Sequence, residues 1–308
     1  MGSGLRVFIG LAMLVSVSQV WAAKVVVSIP PLAMMIEPLL DEDDELEVLL
    51  SPGASPHGFQ LKPSHMLAIE NADLVVSVGT GVDGWLQRAL GNYKGAQSVM
   101  MQQPGLVLLE KRQGGVWEKH DHHSHDHDHL HPAKSPKQQA KMDGHIWLSL
   151  QNAKALIQGT SEALQALQPL RAGAIAAREQ AIFESLQTRE TVWREQLKPF
   201  EESSFVVMHD AYQYFEYTFG LNASGTIHVN PELPPSAKRL HELRHVIEER
   251  KVRCVFTEPQ FPQQRLQPVI EGFDVNVGSL DPLGVDEQLV PFEAFYDRLV
   301  QDFVACMD

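Results

Sequence analysis

Short, wholly apolar runs recur along this chain, and each is followed by a stretch with helical spacing. The clearest are Val25-Val26-Val27, Leu74-Val75-Val76 and Phe205-Val206-Val207-Met208. A strand that is apolar on both sides has both faces covered, and that pattern marks a parallel sheet sandwiched between helices. Before residue 110 the pattern predicts strands at Lys24–Ile29, Leu46–Leu50 and Leu74–Val78, with helices at Pro31–Leu40, Ser64–Asn71 and Gly84–Leu90. After residue 199 it predicts strands at Ser204–Met208, Arg253–Thr257 and Val275–Gly278. The matching helices are Ala211–Phe219, Ala237–Arg250, Gln263–Gly272 and Phe292–Val304. Between the two series, a helix over Gln151–Leu167 is followed by a long amphipathic one over Leu170–Leu197. Its stripe of Ile175, Ile182, Leu186, Trp193 and Leu197 keeps to one helical face. At ~1.5 Å per residue such a helix reaches ~42 Å, long enough to brace two lobes. The expected fold class is therefore α/β, with two lobes, each a mostly parallel sheet flanked by helices, joined by one long backbone helix. The lobes are assigned to 23–168 and 199–308, with the linking helix at 169–198.

Two segments fall outside this pattern. Residues 1–22 read as a secretory signal peptide, with Arg6 before an uncharged, mostly apolar run and Val20-Trp21-Ala22 before the cleavage point. The expectation is a chain exported to the periplasm, soluble and not membrane-embedded after cleavage. Residues 110–142 are dominated by Lys, Gln, His, Asp and Pro and lack apolar periodicity, so they are expected to be a disordered insertion. Seven of the chain's 14 histidines lie there, at His120, His122, His123, His125, His127, His129 and His131. Imidazoles alternating with aspartates offer overlapping, flexible metal sites, an accessory trap weaker than any preformed site.

Composition excludes several classes. The formal charge of −14 argues against nucleic acid, which demands clustered Lys and Arg. Two cysteines, Cys254 and Cys306, are too few for a zinc ribbon or an iron–sulfur cluster. In an exported chain they are either bridged, which would pin the last helix, or two buried thiols. No Gly-x-Ser-x-Gly or Gly-x-x-x-x-Gly-Lys pattern occurs, so neither a serine hydrolase nor an ATPase is indicated.

Among the remaining histidines, His57 and His209 each follow a predicted strand, and His145 stands between the insertion and a helix. Asp281 also follows a strand. In open α/β sheets ligands bind beyond the carboxyl ends of strands, and three imidazoles with one carboxylate from four segments suit a zinc ion. The motifs that carry these residues occur in one order: Ser-Pro-Gly-Ala-Ser-Pro-His57, Asp-Gly-His145-Ile-Trp-Leu, Met-His209-Asp-Ala-Tyr-Gln-Tyr-Phe, Phe-Thr-Glu258-Pro-Gln-Phe and Ser-Leu-Asp281-Pro-Leu-Gly. Together they resemble the periplasmic zinc-binding proteins of bacterial zinc ABC importers, the ZnuA type, over nearly the whole chain after the signal.

The resemblance implies a non-enzymatic receptor, expected to be a monomer, that holds Zn²⁺ in a cleft between two lobes. It would deliver the ion to an inner-membrane ABC permease and its ATPase. It implies ligands at His57, His145 and His209. Manganese-binding relatives carry a glutamate where His209 stands, so His209 favours zinc. Some zinc members place a glutamate just before the first ligand; here that residue is Pro56. The fourth position is left to Asp281, a water or a histidine of the insertion. Glu258 is expected behind the ligands, orienting an imidazole. The Cys254–Cys306 pair looks like the disulfide of several zinc members.

Two other readings compete. One is a zinc buffer or chaperone without a transporter. The other is a zinc-dependent peptidase through His241-Glu242-x-x-His245, which matches H-E-x-x-H. Arg244 inside that motif, with Lys238, Arg239, Glu248, Glu249 and Arg250 around it, marks a solvated helix instead.

Overall fold

The computed structural model describes residues 21–112, 117, 136–228, 236–284 and 289–308. Nearly all of the expected signal peptide and all seven clustered histidines lie outside the described residues. Among those described, no helix is long and apolar enough to cross a membrane.

The elements run β1 (Lys24–Val27), α1 (Pro30–Ile36), β2 (Glu45–Val48), α2 (Pro63–Asn71), β3 (Leu74–Ser77), α3 (Gln87–Leu90), β4 (Ala96–Val99), α4 (Pro136–Gln139) and α5 (Leu150–Leu167). Then follow α6 (Ala172–Leu197), β5 (Phe205–Val207), α7 (Gln213–Phe219), β6 (Gly225–Thr226), α8 (Ala237–Glu249), β7 (Cys254–Thr257), α9 (Gln267–Ile270), β8 (Asn276–Ser279) and α10 (Phe292–Met307). Two four-stranded sheets result, ordered β2-β1-β3-β4 and β6-β5-β7-β8, and every pairing is parallel.

Alternation along each central strand divides its side chains between two cores. Val25, Val27, Leu74, Val76, Phe205, Val207, Cys254 and Phe256 face a large central core. Val26 and Val75 face a smaller cluster with Ile69 of α2 and Ala89 of α3. Val206 and Val255 face another with Leu243 and Ile247 of α8. The central core is continuous through both lobes and includes the buried stripe of α6, which is Ile175, Ile182, Leu186, Trp193 and Leu197. These are the five residues of the predicted stripe. Trp193 stacks on Tyr296 of α10 with ring centroids 4.7 Å apart, and its Nε1 donates to Asp297 at 2.8 Å. The brace thus packs against α10 on one side and α5 on the other.

Cys254 and Cys306 form a disulfide, with Cα atoms 5.8 Å apart, tying α10 to β7. The two ends of the 110–142 segment are structured, against the expectation of disorder throughout. Glu110 bridges Met142, Lys111 N donates to Lys141 O at 3.1 Å, and α4 occupies Pro136–Gln139.

Candidate metal centre

His57, His145 and His209 come from three distant segments, yet one ring nitrogen of each lies within 4.8 Å of the others. They are the only such group of three or more His, Cys, Asp or Glu among the described residues. His57 sits in a turn of 3-10 helix, Pro56–Gly58, nucleated by Pro56 and by the Ser55 hydroxyl, which accepts from His57 N at 3.3 Å. His209 follows β5 by two residues, and His145 caps the 3-10 turn Ile146–Leu148. Gly144 allows that turn to lie against Gly81 and Val82. A Cβ there would stand 2.4 Å from Val82 Cγ2 and 3.1 Å from the Gly81 carbonyl carbon.

Two carboxylates fix the rings. His145 Nδ1 donates to Asp143 Oδ1 at 2.7 Å, and His209 Nδ1 donates to Glu258 Oε1 at 2.6 Å. Both carboxylates are buried. A carboxylate accepting at Nδ1 places the proton there and leaves Nε2 as a bare lone pair. The two Nε2 atoms face each other at 3.3 Å. Two lone pairs at that distance repel unless a cation sits between them. Two nitrogens each ~2.05 Å from one zinc ion at a tetrahedral angle would be ~3.3 Å apart.

Titration follows from these surroundings. Desolvation holds His57 and His145 well below the ordinary imidazole value, and the neighbouring rings add to it. The His57 ring lies 5.5 Å, centroid to centroid, from each of the other two, although the residue as a whole is exposed. At His209 burial also pulls downward, but attraction to Glu258 and the bond to it outweigh burial and raise the ring above 6.5. Burial pushes Asp143 up to about 6.

Between the rings lies a cavity of about 10 Å³, lined also by Pro56, Trp147 and Phe261. That is room for one water-sized body and excludes an organic ligand.

Asp281 is not part of the group. Its Oδ1 accepts from Gln260 Nε2 at 3.0 Å and from Leu283 N at 2.9 Å, so it shapes the turn beside the cavity. Glu258 is held to the Nδ1 side of His209, away from the facing Nε2 atoms. Asp143, which the sequence offers only as part of the Asp-Gly-His motif, holds the His145 ring from two residues before it. His241 and His245 are exposed on α8, where His245 pairs with Glu249 at 3.4 Å, and neither joins another candidate ligand group among the described residues.

The chain is 33% identical over 297 residues to the high-affinity zinc uptake system protein ZnuA of Yersinia pestis, covering 93% of this chain and 92% of that one. It is 32% identical over 305 residues to the protein of the same name from Haemophilus ducreyi, covering 96% and 97%. A crystal structure of ZnuA shares the fold with a TM-score of 0.75 at 23% identity, covering 93% of this chain and all of the other. So does the periplasmic zinc-binding protein TroA of Treponema pallidum, with a TM-score of 0.76 at 19% identity, covering 93% and 99%. A family model described as the periplasmic component A of the zinc-uptake complex matches residues 25–306, and the chain belongs to this ZnuA family.

Proposed function

We propose that the chain captures Zn²⁺ in the periplasm through His57, His145 and His209 and hands it to an inner-membrane ABC permease driven by its ATPase. The reading is carried by the paired rings: two imidazoles locked by buried carboxylates present facing Nε2 lone pairs 3.3 Å apart, with a third ring beside them. An all-nitrogen set suits zinc and disfavours magnesium and calcium, which take oxygen ligands. Three protein ligands leave the fourth tetrahedral position to water or another donor. Relatives at about a third identity are named as zinc uptake proteins. The chain acts as a monomeric binding component and not as an enzyme. The clustered histidines from His120 to His131 serve as an accessory trap.

Metal analysis and zinc titration test this. Wild type should hold one tight zinc per chain, and so should a variant lacking 118–138. His209→Ala should lose it, and joint replacement of His241 and His245 should not. Retention by His209→Ala would overturn the reading. Growth in limiting zinc, with and without the permease, separates an importer component from a buffer or chaperone.

A further inference from the structure

The two ends of the 110–142 segment lie side by side. Asp143 N donates to Leu109 O at 2.8 Å and Lys111 N to Lys141 O at 3.1 Å. The returning end delivers Asp143, the carboxylate that holds His145. The outgoing end delivers Arg112 to the other lobe. Its Nε donates to Asp210 Oδ1 and Oδ2 at 3.0 and 3.1 Å, while Nη1 and Nη2 reach Glu216 at 2.8 and 2.9 Å. Asp210 immediately follows His209. Glu216 is a fixed anchor on α7, buried and also accepting from Ala223 N at 2.9 Å. The Trp117 ring covers the guanidinium at 3.7 Å. Tyr214, also on α7, adds a neutral tie, its hydroxyl accepting from Leu109 N at 2.9 Å and donating to Asp143 O at 3.1 Å.

We propose that Arg112 is a positioning residue for the metal centre: it clamps the paired ends of the 110–142 segment to Asp210 and Glu216 and so holds His145 in register with His209. This rests on the zinc-capture reading above. Hydrogen bonds and short stretches of chain link one ring to the other: His145 to Asp143, Asp143 to Leu109, the chain from Leu109 to Arg112, and Arg112 to Asp210, the neighbour of His209. The guanidinium comes from before the brace and both carboxylates from after it, so the clamp crosses between the lobes. The planar fork of arginine serves two carboxylates at once, which the single ammonium of lysine does not. Without Arg112 the two acids are left side by side, repelling each other next to His209.

Zinc release into excess chelator, followed by stopped flow, tests the clamp. Arg112→Met should release zinc about tenfold faster than wild type, and Arg112→Lys should fall between them. Asp210→Asn keeps Glu216 paired and should act in the same direction, so the test survives if Arg112→Met folds poorly. Arg171 holds Asp41, Asp43 and Asp44 at 3.2, 3.4 and 3.2 Å, and none of the four lines the cavity between the rings. Arg171→Met should lower the melting temperature and leave the release rate unchanged. Wild-type release rates in Arg112→Met and Asp210→Asn would overturn the clamp while leaving zinc capture intact. A wild type that takes up no tight zinc would remove both.

Discussion

Zinc binding demands one unprotonated nitrogen on each ring, so the order in which the rings take protons sets the pH dependence. His57 and His145 are depressed and stay neutral to below 6.5, whereas His209 is raised and is the first to be protonated as pH falls. Affinity should therefore begin to fall above pH 6.5, at the raised value of His209. Glu258→Gln removes the carboxylate that raises it. That variant should move the fall to lower pH while weakening zinc binding about tenfold at alkaline pH, where protons no longer compete. Calorimetric titrations across the weakly acid to weakly alkaline range read both effects, and an unshifted profile would rule out this account of His209. At this scale the sequence was only partly legible. Placement after a strand marked His57, His209 and Asp281 alike, and only the tertiary structure separates them, by turning Asp281 onto Gln260 and Leu283. Asp143 gave no signal by type alone, because an aspartate before a glycine reads equally well as a turn residue.

At the scale of elements, the central strands were readable and two edge strands were not. β1, β3, β5 and β7 are covered on both faces and appear as apolar runs. β4 contains Gln97 and Ser98, and β6 is only Gly225–Thr226. Both lie at sheet edges, where pairing on one side suffices and no continuous apolar run is imposed. The edge strand β8 is backed by α10 so closely that a Cβ on Gly278 would meet Cys306 Cβ at 2.7 Å and Sγ at 2.8 Å. Gly278→Ala should displace the disulfide and the end of α10, costing about 1–3 kcal/mol. Replacing both Cys254 and Cys306 with serine should cost about 4 kcal/mol, because the bridge closes a loop spanning 52 residues. In both variants the metal rings lie on other elements. Thermal melts should fall while zinc stoichiometry holds, and loss of zinc would show that α10 reaches the site.

Across the whole molecule, the continuous core makes the two lobes one unit of stability. Truncating Trp193→Ala removes a buried indole by which the linking helix touches α10 of the second lobe, at a cost of about 3–5 kcal/mol. Calorimetry should show a single transition shifted downward; two separated transitions would show that the lobes unfold independently. The expectation of a bracing helix was readable from its five-residue stripe, whereas the merging of both lobes into one core was not, since no local spacing records which distant faces meet. The small cavity between the rings carries a last consequence. It has space for about one water-sized body, 10 Å³, so a cation cannot enter with its hydration shell. Cargo must shed most of its waters on the way in, keeping about one. Magnesium, which parts with its waters reluctantly, is then turned away by the work of undressing it as well as by the nitrogen donors.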